Sequence, residues 1–105
     1  MTLNRYNPKR DQSEQKIRGA LHKAGVMTWP VSSPGLPDLL CRLSNQYFWI
    51  ECKTPAGKLT DQQRAFFADA RANNADAFIC CDETDVQMVL KWLVVPGTGF
   101  PEEQE

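Results

Sequence analysis

Two short segments of this chain carry residue types that could do chemistry together: Pro37-Asp38, and Glu51-Cys52-Lys53 at the end of the apolar run "QYFWI". In a strand, residues i and i+2 point to the same face. Glu51 and Lys53 therefore project side by side, roughly 7 Å apart at the backbone, and Cys52 points to the other face. The runs "DLLCRL" and "YFWIECK", broken by Ser44-Asn45-Gln46, read as a β-hairpin. If Ser44 and Asn45 form a two-residue turn, Leu43 pairs with Gln46 and Asp38 falls opposite Glu51. A three-residue loop moves the partner by one position. In either register, two carboxylates and one ammonium converge at the mouth of the hairpin.

Two carboxylates that close repel, and one takes up a proton unless a cation lies between them. A hard divalent ion suits this arrangement. Mg²⁺ uses one or two carboxylates and completes its shell with water and substrate phosphate. The main-chain carbonyl of Cys52 is a further candidate ligand. A bound metal acidifies water and stabilises the charge that builds on a phosphorus under attack, and Lys53 is placed to orient that water or hold the phosphate. These are the parts needed to hydrolyse a phosphodiester. The competing reading is a strand that frays into a polar turn, with a surface ion pair worth under ~1 kcal/mol. E-x-K alone is weak, since it arises by chance in about a third of 100-residue chains at average Glu and Lys usage. A P-D step about a dozen residues upstream, at the matching end of the hairpin, sharpens it.

The elements that must hold these residues follow from periodicity and caps. "DQSEQKIRGALHKAG" predicts a first helix, with Asp11 or Ser13 as cap, Ile17 and Leu21 on the buried side with Ala20 and Ala24 beside them, and Gly25 as the stop. Asp11 with Glu14 fits a capping box. "VMTWPV" predicts a short strand that Pro30 ends or keeps at an edge, and "SSPGLP" a loop. After the hairpin and the turn "TPAGK", "TDQQRAFFADARANN" predicts a second helix with Thr60 as N-cap and Gln63 closing a capping box. "DAFICC" is a short buried strand, and "ETDVQMVLKWLVV" a third helix stopped by Pro96 and Gly97. The expected fold is α/β: a central mixed sheet with an antiparallel hairpin, flanked by helices, in the order α-β-β-β-α-β-α.

Composition bounds the answer. At 105 residues the chain makes one domain. The expected division is a basic arm over 1–10, the chemical domain over 11–95 and a loose tail over 96–105. No apolar run approaches the ~20 residues of a membrane span, and the N-terminal residues show no apolar signal-peptide core, so a cytoplasmic location is expected. The four cysteines, Cys41, Cys52, Cys80 and Cys81, show no C-x-x-C spacing and lie in or after apolar runs, which predicts buried free thiols. Net charge is −1. The first 25 residues nevertheless carry Arg5, Lys9, Arg10, Lys16, Arg18 and Lys23 against Asp11 and Glu14. Lys9 and Arg10 are candidate phosphate contacts, as are Lys58 and Arg64, which flank the E-x-K segment. "FICC" and "MVLKWLVV" offer more apolar surface than a small sheet hides, which predicts a homodimer.

"GLPDLL" followed by "IECKTPAGKLTDQQRAF" resembles the VRR-NUC branch of the PD-(D/E)xK nuclease superfamily over about residues 11 to 86. The matching positions are Glu14, then Gly35 with Pro37 and Asp38, then Glu51 with Lys53, then Gly57, Leu59 and Gln63. The resemblance implies a restriction-endonuclease-like core, Mg²⁺ or Mn²⁺ as cofactor, DNA as substrate with branched forms in view, and a dimer. By resemblance Asp38 and Glu51 bind the metal, Lys53 is the catalytic lysine, and Glu14 and Gln63 complete the site. Glu14 and Gln63 each have a second reading as partners in helix capping boxes. The alternative function is a catalytically idle nucleic-acid-binding or assembly module that keeps the fold. Such a descendant would be expected to lose one of Asp38, Glu51 or Lys53, and all three are present.

Overall fold

The structure is a computed structural model, described here over residues 8–97, with side chains from 12 to 93. The elements run α1 (Pro8–Lys23), β1 (Met27–Pro30), β2 (Leu39–Leu43), β3 (Gln46–Cys52), α2 (Asp61–Ala72), β4 (Ala77–Cys80) and α3 (Glu83–Gly97). This is the expected α/β order. Four strands form one sheet in the order β1-β2-β3-β4. β2 pairs antiparallel with both β1 and β3, and β4 joins β3 in parallel after the α2 crossover.

The first helix begins earlier than caps at Asp11 or Ser13 would have it. It opens at Pro8, whose fixed φ and missing N–H suit the first helical position. Asp11, Ser13 and Glu14 are thus inside the helix. The helix ends where expected. Gly25 takes φ +86, donates its N–H to the His22 carbonyl, and the Val26 N–H reaches back to Leu21. That is a Schellman motif, with buried Leu21 and Val26 as its apolar clasp. Asn74, at φ +58, ends α2 in the same way through the Ala75 N–H to the Ala70 carbonyl.

The pleat divides the sheet into two unlike faces. Leu39, Cys41, Phe48, Ile50, Cys52 and Cys80 point to one side, where Ile17 and Leu21 of α1 and Val86, Val89, Leu90 and Leu93 of α3 cover them. This is the core. Burying each large side chain there is worth roughly 1.5–3 kcal/mol. Ala24, expected beside Ile17 and Leu21, is exposed. The other face carries Trp49, whose ring meets Phe66 of α2 edge-on at 5.5 Å. α2 covers this face only in part, and Met27, Trp29, Tyr47 and Ile79 are left exposed. Among the described residues no helix is long and apolar enough to cross a membrane.

Candidate metal and phosphodiester site

The hairpin adopts the two-residue register. Leu43 pairs with Gln46 and Leu39 with Ile50, which sets Asp38 opposite Glu51. Ser44 makes this possible by taking φ +55, the left-handed conformation that tight hairpin connections demand. The mouth of the hairpin is not a frayed polar turn: Asp38 is 4% exposed and Glu51 0%. Taking a carboxylate out of water costs several kcal/mol unless it is well partnered.

The partners come from the end of β3, the residue after it, and the first turn of α2. Asp38 Oδ2 accepts the Cys52 main-chain N–H at 2.9 Å. Glu51 Oε2 accepts from Gln63 Nε2 at 3.0 Å and lies 3.5 Å from Lys53 Nζ. Gln63 belongs both to the cap and to this cluster. Its Oε1 accepts the Thr60 N–H at 2.9 Å, and its own N–H donates to Thr60 Oγ1 at 3.1 Å, so the capping box is complete. The same side chain's amide nitrogen is then aimed at Glu51.

Two glycines allow the close approach. Gly35 takes φ +85, and a Cβ there would come within 3.2 Å of Gln62 Cβ. The loop that leads into Asp38 thus abuts the first turn of α2. At Gly57 a Cβ would meet Lys53 Cδ at 3.2 Å and the Thr54 carbonyl oxygen at 3.2 Å. A bare Cα leaves room for the lysine stem.

On the core side of β3, Glu14 completes the arrangement. It stands one turn before Ile17 on the sheet-facing stripe of α1, half-buried. A carboxylate oxygen of Glu14, one of Asp38 and the Sγ of Cys52 all lie within 4.8 Å of one another. Glu51 stands outside that trio, on the opposite face of β3. The sequence reading assigned Cys52 only a carbonyl; its sulfur at this spot was missed. Strand alternation gives half of the signal, the face of Cys52 away from Glu51; that α1 brings Glu14 to that face is a tertiary fact. The Glu14 and Asp38 carboxylates with the Cys52 thiol are a donor set that fits a divalent cation.

Of the candidate phosphate contacts, Lys58 is exposed. Arg64 is exposed too, and is engaged locally with Asp61 and the Leu59 carbonyl. The side chains of Lys9 and Arg10, and the tail from 98 on, lie outside the described residues. A groove of about 490 Å³ borders the site, lined by Ser13 and Lys16 of α1, Thr54 after β3, and Cys81 and Asp82 before α3.

The other thiols are poor candidates for chemistry. Burial pushes Cys41 and Cys80 up to about 12. Cys81 is half-buried rather than buried, and is raised by desolvation and by the charges of Asp85 and Asp82. Thiols raised in this way hold their protons at neutral pH and are inert.

Comparison with known proteins agrees with this fold. The VRR-NUC domain family matches residues 7–81. A solved structure titled "VRR_NUC domain" superposes with a TM-score of 0.70 at 19% identity, covering 79% of this chain and 95% of that one. No curated protein matches the chain in sequence. VRR-NUC is a nuclease domain, which in general implies DNA as substrate and a divalent metal. The family match spans most of the residues that build the hairpin, its two flanking helices and the site, and the chain belongs to the VRR-NUC family.

Proposed function

We propose that this chain is a divalent-metal-dependent deoxyribonuclease of the PD-(D/E)xK type. It hydrolyses phosphodiester bonds, uses Mg²⁺ or Mn²⁺, selects branched or junction DNA, and acts as a homodimer inside the cell. The observation that carries the reading is the pair of buried carboxylates at the mouth of the hairpin, Asp38 and Glu51, with Lys53 on Glu51.

Asp38, Glu51 and Glu14 supply the negative charge that holds the cation, and the Cys52 carbonyl is a further oxygen donor. When bound, the metal acidifies a water and offsets charge on the phosphate under attack. The Cys52 N–H fixes the Asp38 carboxylate through one oxygen. Gln63 does the same for Glu51. Because Gln63 is itself locked by Thr60, the rigid start of α2 sets the position of Glu51. Lys53 Nζ, 3.5 Å from Glu51 Oε2, is the cation that orients the attacking water or steadies phosphate oxygens as charge builds. Lys58, Arg64, Lys9 and Arg10 contact DNA phosphates outside the reacting centre.

Support for the dimer comes from α3. Met88 and Trp92, one helical turn apart, are 67% and 56% exposed, and the Trp92 ring meets Phe78 edge-on at 5.7 Å. Covering that face with a second copy would set two sites against two strands of a junction. The four free cysteines suit a reducing compartment.

The test is incubation of supercoiled plasmid and of labelled branched DNAs with the protein in Mg²⁺, Mn²⁺ or EDTA. Metal-dependent cutting, stronger on branched DNA, is expected. Tight DNA binding without cutting in any metal would overturn the nuclease reading. A monomeric mass at micromolar concentration, unchanged by Trp92→Lys, would overturn the dimer.

A further inference from the structure

One donor near the site is of a different chemical class from the rest. Cys52 is 0% exposed and sits in the core cluster. Its Sγ nevertheless lies within 4.8 Å of both a Glu14 and an Asp38 carboxylate oxygen. Its own N–H donates to Asp38 at 2.9 Å, so thiol and carboxylate are fixed relative to each other by a single residue. The half-buried Glu14 is the open side of the trio.

Ligand type selects metal. Mg²⁺ takes oxygen donors in near-octahedral geometry, whereas sulfur favours Zn²⁺ and related soft ions. A tetrahedral zinc shell, with bonds of about 2.0–2.3 Å, places neighbouring donors roughly 3.4–3.8 Å apart. Donors within 4.8 Å reach that spacing by small side-chain adjustments. Glu51, on the other face of β3, has no part in it. Resting on the nuclease reading above, we infer that Glu14, Asp38 and the Cys52 sulfur form a second, thiophilic mode of the same site, which binds Zn²⁺ and takes Asp38 and Glu14 away from Mg²⁺. The thiol gives its proton to solvent as it coordinates. Zinc is then an inhibitor of the nuclease and not its cofactor.

The probes are Cd²⁺ and Co²⁺, whose thiolate-to-metal charge-transfer bands report sulfur ligation directly, beside Zn²⁺ and Mn²⁺ affinities by calorimetry. The wild-type chain should show the band at one equivalent. Cys52→Val and Cys52→Ser should both abolish it and weaken Zn²⁺ by at least about tenfold, with a much smaller change for Mn²⁺. Serine keeps the size of the residue, so the test survives if valine impairs folding. Asp38→Asn should weaken both metals. Cys80→Val and Cys81→Ser should keep the band. A band that is absent, that survives Cys52→Ser, or that follows Cys80 or Cys81 overturns the inference, even if the protein cuts DNA with Mn²⁺. A Cys52-dependent band in a protein that binds no Mn²⁺ and cuts no DNA upholds the thiophilic site and removes the nuclease reading instead.

Discussion

Exchanging Gln63 for glutamate separates the two jobs that one side chain does. A glutamate can still accept the Thr60 N–H, as capping boxes commonly show, so the start of α2 should hold. It cannot donate to Glu51. In place of an amide nitrogen that donates at 3.0 Å to the carboxylate of a wholly buried residue, it presents a second carboxylate. A hydrogen bond to a charged group is worth about 1.5–3 kcal/mol, and like-charge repulsion adds to its loss. At neutral pH the variant should therefore be less stable than wild type by about 2–4 kcal/mol. The crowded pair should share a proton with a raised pKa. Stability is then present below the unfolded carboxylate range and lost as the pH rises through the raised value, so acid should restore it. Divalent metal should restore part of it at neutral pH. Gln63→Ala behaves differently: it loses half of the capping box, worth about 0.5–2 kcal/mol, and the Glu51 bond, with no rescue by acid. Urea unfolding from pH 4 to 8, with and without Mn²⁺, measures all of this. If Gln63→Glu matched wild type at pH 7, or lost stability on acidification relative to wild type, the coupling of the cap to Glu51 would be refuted.

Gly35→Ala should destabilise by about 1–2 kcal/mol in chemical denaturation, because its φ of +85 and a Cβ contact of 3.2 Å with Gln62 oppose any side chain. Burial raises the Asp76 carboxyl above 3.8. Its ionisation therefore costs the folded state stability as pH rises past that value, and Asp76→Asn should flatten the stability curve in that window without loss at pH 7. Neutralising Lys9 and Arg10 should weaken DNA binding and lower the slope of log K against log salt by about 2, read by fluorescence anisotropy across a salt series.

How much of this could be read from the chain depended on whether the signal was local. The hairpin followed from the apolar runs on either side of Ser44-Asn45-Gln46, with its register open between a two- and a three-residue loop, and the capping box from Thr60 and Gln63 three residues apart. Both are short-range and carried by residue type. The start of α1 was misplaced because Asp11 and Glu14 satisfy the capping pattern in letters, while Pro8, three residues earlier, is the stronger opener. The joint duty of Gln63 needed tertiary contact: nothing in the sequence says that the first turn of α2 reaches back to Glu51. Alternation put Cys52 on the face away from Glu51. That its sulfur meets Glu14 depends on how α1 lies across the sheet, which Ile17 and Leu21 set by packing and spacing alone cannot show.

The central claim is that Asp38 and Glu51 hold the metal while Lys53 acts on the reaction. Calorimetric Mn²⁺ titration beside plasmid nicking, on Lys53→Ala and on the Asp38→Asn, Glu51→Gln double variant, tests it most directly. The double variant should bind Mn²⁺ weakly and cut nothing. Lys53→Ala should bind Mn²⁺ as well as wild type or better, since it removes a cation beside Glu51 and no ligand, yet cut roughly 10²–10³-fold more slowly. Undiminished Mn²⁺ binding by the double variant, or near-wild-type nicking by Lys53→Ala, would contradict it.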